Sequence, residues 1–176
     1  MERIEHVSLL PSEAYDRRQR DEAYLMELKE ENLLFAYRTE AGLNGRLNYR
    51  ISADTHGGWD NPLSQNPGTF TGHWLSTAAH TYRQTGNTRF KAKAEAIVEE
   101  IGRCQEANGD GWAFSIPEKY LYGLKRGRHF WACQYVCHKT MMGLMDMYRF
   151  GGNKQALEIL RGCAEWFHAF TDEIDR

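Results

Sequence analysis

No stretch of this 176-residue chain approaches the roughly 18 consecutive apolar residues that a membrane-spanning helix needs. The N-terminus, MERIEHVSLLPSE, carries charges where an export signal would have its apolar core. Both absences lead to the expectation of a cytoplasmic protein. Blocks of like charge are missing too: 22 Lys and Arg stand against 24 Asp and Glu, with only short clusters at Arg17-Arg18 and Lys29-Glu30-Glu31. A chain without a basic face has no nucleic-acid footprint. Cysteine is sparse, and Cys104, Cys133, Cys137 and Cys163 all fall inside predicted helices, which favours reduced thiols over a disulfide framework. No strand of normal length can be read anywhere.

What is present is a core-forming composition, 41% hydrophobic and 12% aromatic, in a chain long enough for a single α-helical domain over residues 1–176. The chain also repeats itself. TGHWLSTAAHTYRQTGNTRF returns as VCHKTMMGLMDMYRFGGNKQ, with Tyr82-Arg83 answering Tyr148-Arg149 and Gly86-Asn87 answering Gly152-Asn153. A repeat of roughly 65 residues built from helix pairs marks a helical solenoid or closed toroid, in which stacked hairpins bury a face that none could bury alone.

Five main helices are predicted. Ser12 caps the first, which runs over about 12–37 with Tyr24, Leu25, Leu28, Leu33, Leu34 and Tyr37 at helical spacing. The second begins near Thr71 and ends at Gly86, which suits the left-handed position past a helix C-terminus. Asn87 caps the third, which runs to about Ala107. The fourth covers about 131–149, and Asn153 caps the fifth, which carries Trp166, Phe167 and Phe170 towards the C-terminus. Between the first two lies an irregular stretch of about thirty residues with five Gly and two Pro, too long for an idle connector. A second irregular stretch follows Gly111.

The chemistry-bearing groups cluster at these loops and at helix starts. Trp59, Asp60, Asn61, Trp112, Tyr120 and Tyr122 could build a sugar subsite, because an aromatic face stacks on a sugar ring while carboxylate and amide groups grip its hydroxyls. They could equally plug the ends of a helical bundle. His73 and His138 stand at matching places in the repeat, where they could bind substrate, move a proton or serve as satisfied structural residues. His80, seven residues after His73, finds no third ligand. Cys133, Cys137 and His138 do not make a metal site, since His138 is rotated about 100° from Cys137 on a helix, and buried thiols are the expected state. Asn108-Gly109-Asp110-Gly111 lacks the Glu that would complete a calcium loop and reads as a helix-ending turn.

Taken in order, Leu33-Leu34-Phe35-Ala36-Tyr37-Arg38 through Glu40-Ala41-Gly42-Leu43, His56-Gly57-Gly58-Trp59-Asp60-Asn61-Pro62, Thr71-Gly72-His73-Trp74-Leu75-Ser76, Cys104-Gln105-Glu106-Ala107-Asn108-Gly109-Asp110-Gly111, and His138-Lys139 ahead of Gly143-Leu144-Met145-Asp146 form a familiar series. The set resembles the β-L-arabinofuranosidase-type glycoside hydrolases, family 127 and its relatives, over essentially the whole chain. The resemblance implies an all-α fold of consecutive antiparallel hairpins, part of an (α/α)6 toroid with a pocket at one end. It further implies a retaining mechanism with a zinc-bound Cys nucleophile and a Glu acid/base.

None of the four cysteines matches the nucleophile by motif, no catalytic Glu carries over, and no metal or cofactor is expected in this chain, zinc belonging to the complete family domain. What carries over is a substrate-binding wall: His73, His138, Trp59 and Asp60, the last standing where Glu is more usual. The expected role is that of a glycosidase-like chain offering pocket walls to an arabinofuranoside-like plant-glycan sugar. The alternative is a noncatalytic helical module that binds carbohydrate or protein. Five helices make an unclosed ring, so an apolar flank near Trp166 and Phe170 is expected to drive self-association.

Overall fold

In the computed structural model, residues 8–44 and 55–172 are described; the export-signal reading at 1–7, the middle of the long loop at 45–54 and the terminal 173–176 lie outside them. The described chain is all-helical and has no strand. Seven α-helices are present among these residues: α1 Glu13–Glu27, α2 Glu30–Glu40, α3 Thr69–Thr85, α4 Thr88–Asn108, α5 Lys119–Lys125, α6 Cys133–Arg149 and α7 Lys154–Asp172, with a single 3-10 turn at Gly58–Asp60. None is long and apolar enough to cross a membrane.

The predicted caps account for most boundaries. The Ser12 hydroxyl accepts from Tyr15 N–H, Asn87 Oδ1 from Arg89 N–H at 3.1 Å, and Asn153 Oδ1 from Ala156 N–H at 2.9 Å, each satisfying a donor that a helix start leaves without a partner. Gly86 closes α3 at φ 71°, left-handed backbone that costs glycine nothing.

The single first helix expected over 12–37 is instead two helices. Leu28 and Lys29 are extended, at ψ 125° and 135°. Side chains from elsewhere take over the carbonyls at the break: Trp74 Nε1–H donates to Leu25 O at 3.0 Å, and Lys93 Nζ donates to Met26 O at 3.0 Å and to Leu28 O. Tertiary donors thereby replace the helix's own amides, a substitution invisible to local periodicity. The seventh helix, α5, lies in the second irregular stretch; at seven residues it is too short to show a period.

Two hairpins, α3/α4 and α6/α7, stack side by side. Gly72 lies against Lys139 and Thr140, Ser76 Oγ donates to Asp146 Oδ2 at 2.5 Å, and the His80 ring meets Phe150 at 4.6 Å, so α3 and α6 run parallel in one layer. In the second layer Gly102 faces Gln155 and Ile159, and Gln105 Nε2 donates to Ile159 O at 3.0 Å, so α4 and α7 are parallel as well. Phe90, Ile97, Ile101, Leu144 and Ile116 are sealed between the layers, each stabilising the fold by about 1.5–3 kcal/mol. Across α2 and α4 the buried Glu100 carboxylate is held by Arg38 at 2.6 Å and Arg103 at 2.8 Å.

The flank expected to be open near the C-terminus is covered. Trp166 is only 6% exposed, stacks on Phe170 at 5.0 Å and meets Trp112 at 4.6 Å. Tyr122 and Lys125 of α5 lie over Phe170, the Lys125 ammonium 4.1 Å from its ring centre. Helix α5 thus supplies cover over Trp166 and Phe170 that a count of five helices leaves out.

Candidate functional site

A cavity of about 510 Å³ opens where the first half of α3 meets the α1/α2 break and the 3-10 turn. Its size lies within the range of small-molecule sites. Trp59, Asp60 and His73, three of the sequence-predicted residues, line it together with Tyr24, Leu28, His56, Phe70 and Tyr135.

Asp60 is fixed on both oxygens. Oδ1 accepts from Phe70 N–H at 3.1 Å, within the first turn of α3, where the helix dipole favours a negative charge. Oδ2 lies 2.7 Å from His56 Nδ1. The carboxylate therefore caps α3 and orients a neighbouring imidazole, and His56 in turn packs edge-on to Phe70 at 5.9 Å. A shorter acid than Glu suits this cap.

His73 projects from the second turn of α3 and its Nε2 lies 3.1 Å from the Tyr135 hydroxyl of α6. Desolvation by burial, then the nearby Lys139 ammonium, and to a smaller degree His138, push the His73 pKa below its ordinary value, while Asp60 opposes them. The ring is accordingly neutral near pH 7, able to accept or donate a hydrogen bond without a charge. Lys139 Nζ sits 4.9 Å over the Tyr135 ring. His138 is close enough to affect His73 but is solvent-exposed on α6 and does not line the cavity.

The other candidates separate cleanly. Trp112 is buried at 3% exposure with its Nε1–H donating to Ile116 O at 2.9 Å. Tyr120 stacks on Phe130 at 4.5 Å, and Tyr122 packs against Trp166 and Phe170. These three plug the helical core. Asn61 Oδ1 accepts from Leu63 N–H at 2.8 Å and shapes the turn after Trp59. His80 pairs with Asp146 at 3.6 Å away from the cavity. The turn reading of Asn108 to Gly111 holds: Asp110 Oδ1 accepts from Trp112 N–H at 2.9 Å.

All four thiols are buried and unpaired in disulfides. Burial pushes Cys104 up to about 11 and Cys163 up to about 12, and raises Cys133 and, further still, Cys137. A thiolate nucleophile is not populated at neutral pH under those conditions. Among the described residues no three His, Cys, Asp or Glu side chains converge to hold a metal ion, so their donor set does not fit a zinc centre.

Sequence reasoning missed His56, Tyr135 and the cavity side of Tyr24. Tyr24 and Leu28 belong to the apolar stripe of the first helix and reach the cavity only because that helix breaks. Tyr135 carries no local mark; it becomes a site residue through the register of α6 against α3.

The described chain is thus all-helical, with a polar-aromatic cavity beside the start of α3. Residues 6–176 match the family described as Beta-L-arabinofuranosidase, GH127 catalytic domain, and the chain belongs to that family. No curated protein matches the chain.

Proposed function

We propose that the cavity beside α3 binds a sugar ring of the arabinofuranoside type, and that this chain contributes the substrate-binding wall of a glycoside hydrolase. The observation that carries the reading is the convergence of Trp59, the His56–Asp60 pair, His73 and Tyr135 on one cavity in a chain of this family. Trp59 offers a flat apolar face to the CH side of the ring. The neutral His73 and the Tyr135 hydroxyl offer paired donors and acceptors for ring hydroxyls. Asp60 acts by fixing the start of α3 and the His56 imidazole.

The chemistry of bond cleavage is assigned to no residue here, because glycoside hydrolysis needs a carboxyl pair or an activated nucleophile at the scissile bond, and the buried thiols are held protonated. Binding is tested by calorimetry with methyl β-L-arabinofuranoside. The expected outcome is saturable binding that His73→Ala weakens by about tenfold, the loss of one good polar contact. No turnover of an aryl β-L-arabinofuranoside and no stoichiometric zinc are expected. Binding unaffected by His73→Ala refutes the site. Turnover abolished by Cys133→Ser or Cys137→Ser refutes the assignment of the chemistry, and binding without turnover by any longer form of the chain favours the noncatalytic carbohydrate-binding alternative.

A further inference from the structure

Beside the cavity stand two tryptophans in an unusual state. Trp59 is 73% exposed and Trp131 47% exposed, although burying such side chains is strongly favourable. Their rings meet at 5.9 Å and 88°, which makes an open right-angled corner. Trp59 also lines the cavity, so the corner is continuous with it.

The corner is built on fixed backbone. The 3-10 turn carries Trp59, with Asn61 N–H donating to Gly58 O at 3.3 Å, and the Ser64 hydroxyl donates to Trp59 O at 2.7 Å. Gln65 Oε1 accepts from Trp131 N–H at 2.8 Å. Both tryptophans are thereby tied to the same turn, residues 61–66. The residue after Trp131, Ala132, has φ 57°, the only non-glycine residue with positive φ among those described. Left-handed backbone disfavours alanine, and strain of this kind persists where the surroundings impose it, commonly at ligand sites.

We propose that the Trp59–Trp131 corner is a second sugar subsite, taking the ring joined to the one in the cavity. This rests on the reading of the cavity as a sugar site and extends it to a substrate of at least two rings. One indole supplies the stacking face and the other a perpendicular wall, a geometry suited to a ring with one apolar face and a hydroxylated rim. The exposed Gln65 beside Trp131 is a polar group for that rim. A protein partner fits less well: a stable interface needs roughly 800 Å² per side, whereas two aromatic side chains offer at most about 500 Å².

The test compares methyl β-L-arabinofuranoside with a disaccharide in which the same unit is linked to a second pentose. The unmodified chain is expected to bind the disaccharide about tenfold more tightly, with quenching or a blue shift of tryptophan fluorescence. Trp131→Ala is expected to abolish that preference while one-ring affinity stays within about twofold, and Trp131→Phe to restore part of it. Equal affinity for both probes, or a preference that survives Trp131→Ala, overturns the proposal and leaves the cavity reading intact. A 4-nitrophenyl glycoside binding more tightly than the methyl glycoside, with the disaccharide no better than the methyl glycoside, assigns the corner to an aromatic group and overturns it too. Failure of the unmodified chain to bind either sugar overturns the cavity reading and this proposal together.

Discussion

Gly72→Ala puts a methyl group where two helix backbones touch. A Cβ at Gly72 would lie 2.1 Å from Lys139 O and 2.4 Å from Lys139 C; on the other side, a Cβ at Gly143 would lie 2.5 Å from Gly72 O. Ordinary contact begins near 3.4 Å, so α6 must retreat by about 1.3 Å. A radial gap of about 0.5–1 Å forfeits a quarter to a half of a van der Waals well, and a buried leucine makes some 40–60 contacts of about 0.1–0.2 kcal/mol each. Loosening Leu75 and Leu144 alone therefore costs about 4 kcal/mol before relaxation. Helix propensity returns about 1 kcal/mol, because alanine replaces glycine inside a helix. The expected net loss is about 3 kcal/mol, and the melting temperature falls by roughly 10 °C for a chain of this length. Gly102→Ala is the control, since its nearest neighbours are the ends of flexible side chains, Gln155 Nε2 at 2.8 Å and Ile159 Cδ1 at 3.3 Å. Urea and thermal unfolding should show Gly102→Ala neutral or slightly stabilised. Because the same approach sets the 3.1 Å contact of His73 with Tyr135, Gly72→Ala should also weaken binding of methyl β-L-arabinofuranoside. A Gly72→Ala chain within 1 kcal/mol of the unmodified one, or equal shifts for the two variants, refutes the argument from backbone contact.

The His73 ring should titrate by NMR below its ordinary pKa, and Lys139→Gln should bring the midpoint back upwards, because burial and Lys139 are the two leading causes of the depression. Folding favours the neutral ring, so its contribution to stability is present above the unfolded pKa of about 6.5 and is lost as pH falls through the lower folded value. A midpoint at or above the ordinary value, or one indifferent to Lys139→Gln, contradicts this. The four thiols should react slowly with a disulfide reagent at pH 7 in the native chain and all four rapidly in denaturant, since burial raises every one of them. A fast native reaction at Cys137 would show that its burial is transient.

The sequence alone determined the helical class, the caps and the pairing of hairpins, because these depend on short-range chemistry: a side-chain oxygen three residues before an amide, a glycine where the chain turns left-handed, apolar residues recurring at helical spacing. It also singled out Trp59, Asp60 and His73, since the motif around each is local. Tertiary structure decided the rest. The break between α1 and α2 depends on Trp74 and Lys93, far along the chain, reaching the carbonyls of Leu25, Met26 and Leu28. The cover over Trp166 comes from α5, too short to announce itself. His73 meets Tyr135, and Trp59 meets Trp131, across more than sixty residues of sequence. Those encounters are set by the parallel register of α3 on α6, and that register follows from two glycines that let backbone touch backbone. Closeness of this kind is a property of the packed pair of helices, which no single segment carries.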